Sequence, residues 1–433
     1  MTIRCTHGEA AARRRAAAAP RTILLWVGVL IVVALAMHAA APWILPARIY
    51  EGPLVQMADE TGVTLIWYTT RPAQCRVVVS AGTQDRTFPA VAEGRRNRVR
   101  IDGLEPGTTY AYEIQLNRGS LTRGLTFQTN RTADQRYTFL VLGDSGKATR
   151  AQFSLAAEMA ATQPPADFIL HTGDLVYGAG KRTGYEDRFF APYRQLLARV
   201  NFWPCLGNHD VEENDDVSVY TDVFELPDNG PPGVPAERDY WFDYASCRIA
   251  VFDSNADAAT LRDHVAPWLR TVLADCPARW KFVAFHHPPY TAGRHRAALA
   301  IQETIVPVIE EAGVDLVFNG HDHNYQRTYP LLGGHIVEPG RGVIYIVTGA
   351  GGAELYDMKP ADQRPGYLAA CNDHQHSFTQ VTITGDDLTL RQIAAAGQIL
   401  DELKLQKPAA ASTSPAPASA PTTAPPTPEP TAP

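Results

Sequence analysis

Five short polar clusters each follow an apolar run: GDSG (143–146), GDLVY (173–177), GNHD (207–210), VAFHH (283–287) and GHDH (320–323). Among them stand Asp144, Asp174, Tyr177, Asn208, His286, His321 and His323, side chains that offer oxygen or imidazole nitrogen to a cation. Such donors, gathered at strand ends, are what a two-metal hydrolytic site requires, in which paired cations clamp the attacking and leaving oxygens of an in-line displacement.

Taken singly, each cluster has a plainer reading. Gly-Asp-Ser-Gly also surrounds the nucleophile of trypsin-like proteases, but here no TAAHC-like histidine motif precedes it. GNHD is a turn that can cap a helix, GHDH can be a surface loop, and His286-His287 can be an exposed pair beside Pro288-Pro289. The signal lies in five clusters in one order, each closing a strand.

The positioning elements follow from the apolar pattern. From Tyr137 onward YTFLVLGD, ADFILHTGD, NFWPCLGN, CRIAVFDSN, KFVAFHH, VDLVFNGH and GVIYIVTGA are near-continuous apolar runs, the mark of strands covered on both faces. Helical stretches are expected between them over Arg150–Thr162, Thr183–Ala198 and Ala297–Ala312. The class is α/β, with its site at the carboxyl ends of the strands.

Residues 48–130 differ. Short alternating runs with turn signals predict a small all-β sandwich in which Trp67 plugs the core. VTLIWYT (63–69) and LEPGTTYAYEIQL (104–116) resemble a fibronectin type III domain, with Tyr110 in the place of the tyrosine corner. This stretch supplies no chemistry.

The order of the five clusters resembles the calcineurin-like metallophosphoesterase superfamily, and its details resemble the purple acid phosphatases. Most of the superfamily opens with D-x-H; here Gly146 takes the histidine position and Tyr177, three residues after Asp174, completes a G-D-x-x-Y form. FNGHDHNYQRTYP (318–330) and VTGAGG (347–352) extend the resemblance beyond the ligands. It implies a four-layer α/β/β/α sandwich over 137–400, preceded by the fibronectin-like domain. It implies a binuclear centre of Fe(III) plus a divalent ion, either Zn, Mn or Fe(II). Asp144, Asp174, Tyr177 and His323 would hold the first metal, Asp174, Asn208, His286 and His321 the second, with Asp174 as the bridge. A phenolate with carboxylates suits a hard trivalent ion, and two imidazoles suit a divalent one.

The implied activity is acid phosphatase chemistry: a metal-bound hydroxide attacks the phosphorus of a small phosphomonoester, with no covalent enzyme intermediate. His209 would stabilise the transition state and protonate the leaving alkoxide, and His295 would bind substrate phosphate, a task that Arg294 or Arg296 could share. His287 is expected to be a loop residue facing solvent. Asp210 stands where the family commonly has Glu, a tolerable change, and the acidic stretch 212–216 reads as a solvated loop. The alternatives are a phosphodiesterase or phospholipid-directed hydrolase on the same site, and an inactive anchored adhesion protein.

The remainder of the chain concerns address. Arg13, Arg14, Arg15 and Arg21 precede an apolar run from Ile23 to Ala41, about the length of a membrane span. The arginines predict a cytoplasmic segment 1–22, a signal anchor or signal peptide over 23–45, and an extracytoplasmic remainder. Cys75, Cys205, Cys247, Cys276 and Cys371 would then face an oxidising space, and an odd number leaves at least one without a partner in the chain. Cys205 reads as a core residue. Residues 408–433 are Pro, Ala, Ser and Thr except for Glu429, a composition that predicts a disordered tail. The net charge of −7, without a basic patch, argues against a nucleic-acid partner.

Overall fold

The computed structural model describes residues 24–33 and 46–408, apart from Thr83, Arg118, 212–214 and Asp275. Among the described residues no helix is long and apolar enough to cross a membrane. The run Ile23–Ala41 is described only over 24–33, as a helix, so the expected anchor falls largely outside the described residues, as does the expected tail beyond Pro408.

The first folded unit is a sandwich of two antiparallel sheets. One holds Ile49–Gln56, Gly62–Thr69, Arg96–Asp102 and Val91–Glu93, and the other is built on Cys75–Ala81 and Thr109–Leu116. Alternation explains the packing. In Gly62–Thr69, Val63, Leu65 and Trp67 point between the two sheets, while Ile66 and Tyr68 join the core of the catalytic part. Both faces of this strand are thus buried. Tyr110 is buried, and its hydroxyl accepts the Glu105 N–H at 2.8 Å, the bond that defines a tyrosine corner.

Residues 137–406 build two further sheets, stacked face to face. The first has six strands in the order Asn201–Pro204, Phe168–His171, Tyr137–Leu142, Ser377–Thr384, Asp387–Ala394 and Ile399–Gln406. The second has seven, with Cys247–Val251, Trp280–Ala284, Leu316–Asn319 and Ile344–Thr348 running parallel at its centre. Strand Trp280–Ala284 shows the layering: Phe282 and Ala284 enter the core between the sheets, and Val283 packs outward with Leu269 and Ile309. Helix Arg150–Ala161 contributes Leu155 and Met159 to the other side. Helix, sheet, sheet, helix is the four-layer α/β/β/α order expected.

Two helices depart from expectation. Helix Arg150–Ala161 begins at Thr149, whose hydroxyl accepts the Gln152 N–H. The stretch 183–198 is instead a 3-10 turn, a π turn over Glu186–Phe190 and the α-helix Ala191–Leu197. The stretch 297–312 splits into Leu299–Thr304 and Val306–Glu311. Pro307 is the reason for the split, since it has no N–H to donate and its ring crowds the preceding turn. The apolar pattern could not register that break because it continues through it.

Candidate metal centre

All five clusters open at one end of the stacked sheets. Strand Tyr137–Leu142 delivers Asp144, Phe168–His171 delivers Asp174 and Tyr177, and Asn201–Pro204 delivers Asn208 and His209. From the second sheet, Trp280–Ala284 delivers His286 and Leu316–Asn319 delivers His321 and His323. Asp144, Asp174 and His321 have left-handed backbones, with φ of 58°, 59° and 70°. Non-glycine residues hold that conformation at a cost of about 1–3 kcal/mol each, and such strain concentrates at functional sites.

The donor atoms fall into two groups. Those of Asp144, Asp174 and His323 lie within 4.8 Å of one another, as do those of His286, His287 and His321. Tyr177 Oη is 2.8 Å from His323 Nε2. Asn208 Oδ1 is 3.0 Å from both His286 Nε2 and His321 Nδ1. Asp174 stands between the groups, with Oδ1 3.6 Å from His286 Nε2. Thus the seven expected ligands converge, together with His287.

The tautomers show what this pocket accommodates. His286 Nδ1 donates to the Thr172 carbonyl at 2.8 Å and His323 Nδ1 to the Glu354 carbonyl at 2.7 Å. A carbonyl only accepts, so each Nδ1 carries the proton and each Nε2 presents a lone pair inward. His286 Nε2 therefore faces Asn208 Oδ1, acceptor against acceptor, an arrangement that a cation satisfies and a hydrogen bond does not.

Electrostatics agree. Burial, then the charge of Asp174, holds the Asp144 carboxyl well above the usual range, and burial raises that of Asp174. Burial also pushes the His286 imidazole far down and that of His323 down to about 4, so both stay neutral. Burial and then the charges of Asp144 and Asp174 raise the Tyr177 phenol. Buried carboxylates beside neutral imidazoles fit a cation pair.

Asp210, read as a tolerable change, proves to be the keystone of the loop. Its buried carboxylate accepts the N–H groups of Asp174 at 2.7 Å, Leu175 at 2.8 Å, Val176 at 3.1 Å and Gly207 at 2.9 Å. Two clusters are thereby locked together. Gly146 stands where a side chain cannot, because a Cβ would lie 1.9 Å from the Leu175 carbonyl oxygen. The superfamily's usual histidine has no room here, and Tyr177 reaches in instead.

At the mouth, His209 is exposed and its ring lies 4.6 Å from that of Tyr177, while its N–H donates to Asp174. The His295 ring lies 4.0 Å from that of His321, and its N–H donates to Asp322 at 2.9 Å. Sequence reasoning missed Tyr356 and Lys147 but had named Arg294 as able to share in phosphate binding. Tyr356 stacks on His323 at 3.9 Å, Arg294 lies over Tyr356 at 4.7 Å, and the Lys147 ammonium sits 4.6 Å over the Tyr177 ring. Tyr356 comes from the loop after Ile344–Thr348 and carries no motif; Lys147, next to GDSG, could have been suspected. The expectation that His287 faces solvent is corrected: it is largely withdrawn from solvent, and its Nδ1 lies 2.8 Å from Ser254 Oγ. In the acidic stretch 212–216, Asp215 is tied back by a bidentate pair with Arg238.

Residues 137–325 match the calcineurin-like phosphoesterase family, and residues 342–402 match the iron/zinc purple acid phosphatase-like protein C family. Residues 46–124 match a domain of unknown function, DUF7800. The fold and site thus define a metallophosphoesterase, a phosphoester hydrolase. Acid phosphatase type 7 of Mus musculus is 24% identical over 425 residues, covering 85% of this chain and 92% of the mouse protein. Purple acid phosphatase 17 of Arabidopsis thaliana is 24% identical over 292 residues, covering 62% of this chain and 84% of its own length. The yellow lupin purple acid phosphatase PPD1 shares the fold with a TM-score of 0.70 at 18% identity, covering 83% of this chain and 74% of that one. Within the metallophosphoesterases, the chain is thus similar to the purple acid phosphatases.

Proposed function

We propose that the protein is an extracytoplasmic acid phosphatase that hydrolyses small phosphomonoesters at a binuclear metal centre. The carrying observation is the convergence of two donor groups, with Asp174 Oδ1 of the first only 3.6 Å from His286 Nε2 of the second. Asp144, Asp174, Tyr177 and His323 would hold Fe(III), a hard ion suited to carboxylate and phenolate. Asp174, Asn208, His286 and His321 would hold the divalent ion, Zn, Mn or Fe(II). When bound, the two cations acidify a water and neutralise phosphoryl oxygens. Water then supplies the new P–O bond as the bond to the alkoxide breaks. His209, at the mouth beside Tyr177, gives the leaving oxygen its proton, and His295, beside His321, orients the phosphate. The arginines before the apolar run 23–41 support an extracytoplasmic address and contact with the membrane through that segment.

Paired chromogenic mono- and diester substrates test the reaction. Preference for the monoester, greatest at acid pH and abolished by metal removal, is expected. Preference for the diester would replace this reading with the phosphodiesterase one. For the address, protease should digest the folded part on intact cells; protection there would place it in the cytoplasm.

A further inference from the structure

Next to ligand His286 stands a residue for which the family resemblance supplies no role. His287 occupies the first position after that ligand, and its ring centroid is 4.5 Å from that of His321 and 4.9 Å from that of His286. Its ligand-capable nitrogen lies within 4.8 Å of those of both neighbours. A solvent-facing loop histidine needs no fixed orientation, yet this one is clamped twice by a single side chain. Ser254 Oγ accepts the His287 backbone N–H at 3.0 Å and lies 2.8 Å from its Nδ1.

The clamp is itself anchored. Asp253, buried and one residue before Ser254, is paired with Arg238 and accepts the Asn255 backbone N–H at 2.9 Å. The Asn255 amide in turn donates to the Gly207 carbonyl at 3.3 Å, beside Asn208. One buried network therefore holds the His287 ring and the Asn208 loop in register. With Nδ1 engaged by Ser254, Nε2 is the nitrogen left for the site. An outer partner that fixes one ring nitrogen while the other faces a metal is the usual support of a ligating histidine.

We propose that His287 is a further protein ligand of the second cation, so that its donor set is three imidazoles, the Asn208 oxygen and the bridging Asp174. This rests on the metal-centre assignment proposed above and extends it. Imidazole suits zinc, whereas carboxylate, carbonyl and water suit manganese, so a third imidazole biases this position towards Zn(II) over Mn(II).

The test is a metal competition on the full chain: metal-stripped protein is dialysed against equimolar Zn(II) and Mn(II), and bound metal is counted. Wild type should retain zinc in the second position. Ser254→Ala, which removes the outer partner, should lose zinc affinity there by about 10- to 100-fold, and His287→Ala should lose more and admit more manganese. Affinity in the first position should not change. Thermal unfolding of the metal-free proteins controls for folding; if His287→Ala is destabilised without metal, His287→Asn replaces it. Zinc affinity within twofold of wild type, at an unaltered zinc-to-manganese ratio, in a folded His287 variant would overturn the proposal and leave His287 a packing residue. A wild type that binds no metal would instead overturn the metal centre itself.

Discussion

Asp210 shows how much of this site depends on a residue that touches no substrate. Its carboxylate satisfies four backbone N–H groups, three of them from the segment that carries Asp174. Asp210→Ala strands those buried donors, at about 1–3 kcal/mol for each group left unsatisfied. Bound metal and melting temperature should fall together; loss of neither would mean that the loop holds itself. The pH dependence belongs to the same scale. Burial raises Asp144 and Asp174 in the folded, metal-free chain. A raised carboxyl contributes stability below its unfolded value, about 3.9, and loses it as pH climbs through the folded value. The metal-free protein should therefore weaken from acid towards neutral pH, and bound cations should remove that weakness. The melting-temperature gap between loaded and chelated protein should be wider at neutral pH than at acid pH; a narrower gap would contradict the assignment. The converging candidate ligands were legible because each is a polar residue just beyond an apolar run. Asp210, His287 and Tyr356 were not, since their roles arise from loops that meet only in three dimensions.

Among the elements, the strands were legible and the seams between them less so. Seven apolar runs named seven strands. The antiparallel strands Ser377–Thr384 and Asp387–Ala394 went unread because buried polar residues such as Gln380 and Gln392 dilute their pattern. The seam with the N-terminal sandwich was also hidden. There Glu51 is wholly buried and forms a bidentate pair with Arg182, while the Tyr68 hydroxyl donates to the Asp222 carbonyl at 2.7 Å. The strand Ile49–Gln56 lies against Asn201–Pro204, which carries the Asn208 loop, so this seam backs the site. Removing one partner of a buried pair leaves the other charge uncompensated. Arg182→Met should destabilise by about 3 kcal/mol in denaturant unfolding. A change under about 1 kcal/mol would place this pair with ordinary surface bridges.

Across the whole molecule, two β-rich units share one apolar core, with Leu54, Ile66 and Tyr68 of the first built into the second. The five cysteines within the described residues are all free thiols. Cys75, Cys205 and Cys247 are buried, and only Cys276 and Cys371 are partly open. A thiol reagent followed by peptide mapping should label Cys276 and Cys371 in the native protein and the other three only after unfolding. Native labelling of Cys205 would mean that the core beneath GNHD opens.

The central claim is that Asp174 bridges two cations. Its most direct test is the metal-to-protein ratio of the purified chain, measured for wild type and for Asp174→Asn. Two metals per wild-type chain, falling to one or fewer in the variant, is the expected result. Two metals in both would show that the bridge lies elsewhere, and none in wild type would contradict the binuclear site.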